Sequence, residues 1–167
     1  ARNLGGLVFS ADDRMLAFQA SDSRIPNDLY VVELGEGAQG GPRALTRALN
    51  PAIDPGHLVD GEVVRFRSYD GMEIPGILYR PHGAAADAKV PMLVRVHGGP
   101  GGQARIGYSG QNQYLLNHGY AIFDINNRGS SGYGKAFYAA DDRCHGECDL
   151  GDVVASKDFL VGLGWVD

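Results

Sequence analysis

The chain has 167 residues, 15 Lys+Arg against 20 Asp+Glu and a formal net charge of −5, with 44% apolar and 21% charged residues. These are the proportions of a globular chain rather than a disordered one. The acidic balance argues against a nucleic-acid surface, and no apolar run approaches the about 18 residues needed to span a membrane. Glycine is the unusual component: there are 25, about twice the usual share. Ten of them fall between Gly98 and Gly134, so the excess marks one region.

The first third reads as β-structure. Leu7-Val8-Phe9, Met15-Leu16-Ala17-Phe18 and Leu29-Tyr30-Val31-Val32-Glu33-Leu34 are short apolar runs at the close spacing of a meander, separated by turn-rich segments. Residues 35–43 form a loop, and residues 45–60, with Pro51, Pro55 and Gly56, form a connector. Glu62–Ser68 alternates as a strand, Tyr69-Asp70-Gly71-Met72 is a hairpin turn with the Asp-Gly signal, and Ile74–Arg80 is the return strand. Met92–Val96 is an apolar strand that runs into His97-Gly98-Gly99-Pro100-Gly101-Gly102. Residues 109–118 form a short helix with Tyr114, Leu115 and Leu116 on its apolar side, and Tyr120–Ile125 is another buried strand. A second glycine-rich loop covers Asn126–Gly134. Residues 150–163 carry Val153, Val154, Phe159, Leu160 and Leu163 near helical spacing, and Gly164 is the stop. From Glu62 onward the order β, β, β, helix, β, loop, helix describes an α/β sheet with an antiparallel edge.

Cys144 and Cys148 are the chain's two cysteines. Two thiols make no disulfide framework, and Cys144-His145-Gly146-Glu147-Cys148 lacks the distant partner of a closed zinc site. They are expected as ordinary loop thiols, with a local disulfide between them as the alternative, and with no metal and no cofactor.

The turn after Met92–Val96 admits two chemistries. Gly99, Gly101 and Ala104 fit the dinucleotide pattern G-x-G-x-x-A, with Asp124 at the offset of an acidic ribose ligand. Against it stand Pro100, which has no N–H to offer a pyrophosphate, and Gly107 and Gly110, which interrupt the helix that should follow. The antiparallel opening hairpin is also foreign to that fold. A Walker P-loop is excluded because no Gly-Lys-Ser/Thr follows. The other reading is an oxyanion hole, in which a His-Gly-Gly loop after a sheet strand aims a backbone N–H at a developing alkoxide. On that reading Gly99 is the donor, Gly98 shapes the approach, and His97 shapes the loop rather than acting as a base.

The segments Val94-Arg95-Val96-His97-Gly98-Gly99-Pro100, Asn126-Asn127-Arg128-Gly129-Ser130-Ser131-Gly132-Tyr133-Gly134-Lys135-Ala136-Phe137 and Asp149-Leu150-Gly151-Asp152-Val153 resemble the prolyl oligopeptidase family of serine peptidases, in its dipeptidyl-peptidase-like and acylaminoacyl-peptidase-like branches. Phe9–Phe18 and Leu29-Tyr30-Val31 resemble that family's β-propeller blades. The resemblance implies an α/β fold: the N-terminal half of an α/β-hydrolase domain (residues 62–167), a connector (51–61), and before it the last blade strands of a β-propeller (1–50). It implies cleavage of short peptides through an acyl-enzyme. The related alternative is an esterase or proline iminopeptidase, although Asn126 and Tyr133-Gly134 favour the oligopeptidase side.

No serine stands in a G-x-S-x-G nucleophile elbow. Gly107-Tyr108-Ser109-Gly110-Gln111 lacks the last glycine, and Gly129-Ser130-Ser131-Gly132-Tyr133 has tyrosine in its place. Ser109 and Ser131 are expected to cap backbone, and Arg128 to anchor its loop through an ion pair. The family's triad follows the helix that ends near Gly164, so the chain is expected to hold none of it and to be inactive alone. Its expected partners are a small peptide substrate and a complementary chain or the remainder of a parent protein, with no nucleic acid and no membrane. No targeting segment is visible, which leaves a cytoplasmic or periplasmic location equally open.

Overall fold

The computed structural model describes residues 3–99 and 101–167; Pro100 of the first glycine turn lies outside them. The chain is mixed α/β with two separate four-stranded sheets. Its contacts divide it into residues 1–58 with 106–110, and residues 59–105 with 111–167.

The first unit is an antiparallel meander of β1 (Asn3–Phe9), β2 (Met15–Ser21), β3 (Asp28–Glu33) and the two-residue β4 (Arg43–Ala44), in that spatial order. The β1–β2 turn is built by short polar side chains. Ser10 Oγ donates to Asp12 Oδ1 at 2.6 Å and accepts from Met15 N at 2.9 Å. Phe18 and Tyr30, paired across β2 and β3, stack at 5.7 Å. Buried Asp28 accepts from Thr46 Oγ1 and Ala48 N, which ties the segment after β4 back to β3. Leu4, Leu7, Val8 and Phe9 of the edge strand β1 remain exposed.

In the second unit β5 (Gly61–Arg67), β6 (Glu73–Tyr79), β7 (Met92–Val96) and β8 (Ala121–Ile125) form a sheet of order β5-β6-β8-β7. β5, β6 and β8 are antiparallel in succession, and β7 lies parallel to β8. The Asp-Gly hairpin closes as the sequence predicts: Arg67 pairs with Glu73, Ser68 N donates to Met72 O, and Asp70 Oδ1 accepts from Met72 N. Every residue of β8 is buried, as a central strand with both faces covered must be. β7 is an edge strand, with Val94 and Val96 exposed. Only its approach is met on that side, where Val90 N donates to Trp165 O and Asp167 N to Val90 O.

The core gathers Phe66, Ile74, Leu78, Phe123, Ile125, Leu160 and Trp165. Phe66 stacks on Phe159 at 5.3 Å and meets Phe123 edge-on at 6.2 Å, so one aromatic cluster holds α3 (Cys148–Gly162) to the sheet.

Three expectations need correction. α1 (Gly110–Asn117) forms where expected, but its buried residues are Asn112, Gln113 and Leu116, while Tyr114 is exposed and stacks on His118 at 4.0 Å. The amide of Gln113 explains the reversal, because it accepts from Val59 N and donates to Val59 O, each at 2.9 Å. In α3 the buried residues are Asp149, Asp152, Ser156 and Leu160, whereas Leu150 and Val154 are exposed. Val153, Phe159 and Leu163 pack against the core beside Leu160 as expected, so of the apolar residues named from the sequence Val154 alone is exposed, and polar partners of Asp152 complete the buried face. Finally, Cys144 and Cys148 are joined as a disulfide, their Cα atoms 5.6 Å apart, within the usual range for a bridge. The short helix α2 (Lys135–Tyr138) was not foreseen either. Its four residues are too few for a periodic signal.

Ile74 is fully buried in the core. Ile74→Ala is expected to lower unfolding free energy by about 2–5 kcal/mol, measured as a reduced urea midpoint with an unchanged slope.

Candidate active-site loops

β7 and β8 run side by side and end together, so the two glycine-rich loops that follow them emerge at the same C-terminal edge of the sheet. Open α/β sheets bind ligands at that edge. The first loop needs its glycines. Gly99 has φ +129°, and a Cβ on Gly102 would stand 2.6 Å from Gly98 O and 2.8 Å from His97 Nδ1.

The second loop holds the first. Asn126 is almost fully buried; its Oδ1 accepts from Ala104 N at 2.7 Å, and its Nδ2 donates to Ala104 O at 3.0 Å and Tyr133 Oη at 2.9 Å. Ser131 N donates to Gly102 O at 2.9 Å, and its hydroxyl also donates to that carbonyl. Ser131 therefore caps backbone, as expected. Ser130, fully buried, donates to Asn127 O at 2.6 Å. Its single proton is thereby engaged, so it accepts from His97 Nε2 at 2.9 Å. The His97–Ser130 contact thus fixes a loop; it is not a base activating a nucleophile, because the hydroxyl proton points away from the imidazole.

Beneath the second loop lies an ion cluster, buried at Arg128 and Asp152 and exposed at Asp70. Arg128 donates from Nε and Nη2 to the two oxygens of Asp152, and from Nη1 and Nη2 to the two oxygens of Asp70. Asp152 also accepts from Arg128 N and from Ser68 Oγ and is fully buried. The guanidinium lies 4.9 Å from the centre of the Tyr69 ring. Asp152 first, and Asp70 second, hold the guanidinium charge far above its ordinary pKa, against the opposing effect of burial. Arg128 in turn lowers the pKa of Asp70. The loop-anchoring ion pair expected of Arg128 is present, and its two partners come from the β5–β6 turn and from α3.

A second bidentate pair disposes of the dinucleotide reading. Both oxygens of Asp124 accept from Arg95, whose Nη1 also donates to Asn112 Oδ1. Asp124 is buried and already held by a guanidinium, Ala104 N is committed to Asn126, and α1 begins only at Gly110. Among the described residues, then, Gly99, Gly101, Ala104 and Asp124 do not assemble a pyrophosphate site.

Two loops so placed, one a His-Gly-Gly turn, match what the sequence resemblance requires. The family model for the prolyl oligopeptidase family matches residues 107–167, which include the whole second loop. That match, over residues 107–167, is to the prolyl oligopeptidase family. Dipeptidyl aminopeptidase BIII of Pseudoxanthomonas mexicana is 40% identical over 93 residues, covering 52% of this chain and 14% of that protein. The uncharacterized peptidase YuxL of Bacillus subtilis (strain 168) is 29% identical over 158 residues, covering 95% of this chain and 23% of that one. The crystal structure of puromycin hydrolase superposes over 96% of this chain and 24% of that chain, at a TM-score of 0.81 and 26% identity. The chain thus spans a quarter or less of the length of these relatives.

Removing the Asp152 charge leaves buried Arg128 with its exposed partner Asp70 alone and weakens the acceptor of Ser68 Oγ. Asp152→Asn is expected to destabilise the protein by about 3–5 kcal/mol in chemical unfolding at neutral pH. Because the pKa of Asp70 is depressed in the folded state, its contribution is complete above the ordinary aspartate range and is lost as pH falls through the depressed value. Thermal melting followed from pH 5 downward is expected to lose part of this acid dependence in Asp70→Asn.

Proposed function

We propose that the chain is part of a serine peptidase of the prolyl oligopeptidase family, cleaving short peptides in the manner of a dipeptidyl or acylaminoacyl peptidase. The observation that carries this reading is the joining of two glycine-rich loops at the common end of β7 and β8 by Asn126, Ser130 and Ser131. In this reading the second unit is the N-terminal part of an α/β-hydrolase domain, and the first unit contributes the last blade strands of a β-propeller that admits only small substrates.

The mechanism is acyl transfer. A serine attacks the peptide carbonyl, the amine leaves, and water releases the acyl group from the serine ester. The N–H of Gly99 supplies part of the oxyanion hole, and Gly98 keeps the approach free of side chains. His97 is a positioning residue held by Ser130. No serine among residues 1–167 stands in a nucleophile elbow, so serine, acid and base come from outside these residues. Complementary residues cover the exposed strand β1 in the first unit and, separately, β7 in the second, and the 167 residues alone are not a self-sufficient monomer. Monomeric sedimentation with a cooperative thermal melt of the isolated chain refutes that last point.

Fluorophosphonate labelling tests the reading. The isolated 167 residues are expected to remain unlabelled, and the assembly that includes the complementary residues is expected to label. In that assembly Gly99→Ala, strained at φ +129°, is expected to displace that N–H and lower kcat, by up to the about 10²–10³-fold that loss of one oxyanion donor causes. Binding of NAD without labelling overturns the proposal.

A further inference from the structure

A cluster of ligand-type side chains lies outside both glycine loops, in the turns that lead into α3. Asp141, His145 and Asp149 each present one ligand atom, and the three atoms lie within 4.8 Å of one another. His145 Nδ1 is 2.7 Å from Asp149 Oδ2 and 3.8 Å from Asp141 Oδ2. The two aspartates are buried and the histidine is exposed, so the cluster opens to solvent on the imidazole side.

Asp141 separates this cluster from an ordinary surface ion pair. The residue is 5% exposed, and its Oδ2 is buried with no hydrogen-bond donor. A carboxylate oxygen withdrawn from water without a donor is costly, and a bound cation removes that cost. The side chain is closely packed where it is. It lies against Gly129, where any Cβ would collide with its carboxylate. Asp149 is oriented as well: its Oδ1 accepts from Gly146 N and Leu150 N, which leaves Oδ2 turned toward the imidazole. Such bonds to the far side of a ligand are the usual means of aiming it. The Cys144–Cys148 bridge closes the same segment.

We propose that Asp141, His145 and Asp149 bind a divalent transition-metal ion of the zinc class. Ligation is through Asp141 Oδ2, His145 Nδ1 and Asp149 Oδ2, with a further position open to water. One imidazole with two carboxylates suits Zn²⁺ and its neighbours, whereas Ca²⁺ and Mg²⁺ favour oxygen-only sets. Metal–ligand bonds of about 2.0–2.2 Å place tetrahedral ligand atoms about 3.4 Å apart, and the 2.7 and 3.8 Å separations bracket that value. Binding replaces any proton on Nδ1 by the metal and releases it to solvent. The ion would fasten residues 141–149 to the Gly129 turn, so its role is to stabilise the second glycine loop.

Equilibrium dialysis of the protein against Zn²⁺ with metal analysis, and titration with Co²⁺ followed by its visible absorption, test the site. One equivalent of Zn²⁺ is expected, displacing Co²⁺ and not displaced by excess Ca²⁺. His145→Ala removes an exposed side chain that makes no core contact, and Asp141→Asn is nearly isosteric. Each is expected to weaken Zn²⁺ binding by more than the about 10–100-fold that loss of an outer-shell partner causes, with an unchanged circular dichroism spectrum for His145→Ala. Absence of a stoichiometric site, or wild-type Zn²⁺ affinity in either variant, overturns the proposal.

Discussion

A guanidinium taken out of water survives only while its N–H groups find oxygens. Arg128, with a side chain 6% exposed, directs four of its five N–H bonds to Asp152 and Asp70. The three residues belong to the loop after β8, to α3 and to the β5–β6 turn. One electrostatic requirement therefore brings together three segments that share no local sequence. Ser68 completes it by donating to Asp152, so the hairpin turn is held by its polar groups as well as by its strand pairing.

The glycine loops sit on this base. With Arg128 fixed, the neighbouring Asn126 and Asn127 are fixed too, and Asn126 reaches across to Ala104 while Asn127 O receives Ser130. Ser130 then receives His97. The chain of contacts passes from a buried charge to the first glycine turn in four residues. A loop supported this way is preorganised: its backbone N–H groups need no reorganisation when charge develops nearby.

The strands and turns were legible because they rest on local chemistry. The Asp70-Gly71 hairpin, the Met92–Val96 and Ala121–Ile125 strands and the Gly164 helix stop each follow from a few adjacent residues. The polar residues in the buried faces of α1 and α3 were not legible. Hydropathy finds Leu116, Val153, Phe159, Leu160 and Leu163 but also points to Tyr114 and Val154, which are exposed, and it misses Gln113 meeting Val59, 54 positions away, and Asp152 meeting Ser68, 84 positions away. Arg128 shows the limit from the other side: its ion-pairing role could be read from its loop, while its partners could not. In the candidate site, His97, Gly98 and Gly99 could be singled out from their motif, but the supporting role of Ser130 has no sequence signal. The Cys144–Cys148 window invites a metal reading and then fails it, because the two carboxylates that converge on His145 stand just outside that window.

The position of β7 has a consequence for the order in which the chain assembles. Among the described strands β7 pairs with β8 alone, and β8 comes later in the chain, after α1. During synthesis β7 and the turn that follows it therefore emerge without the backbone partners they will use. Those partners arrive only when β8 and the loop ending at Gly134 have been made. The earlier glycine turn is consequently the later one to take shape, moulded on a template that the ribosome releases after it.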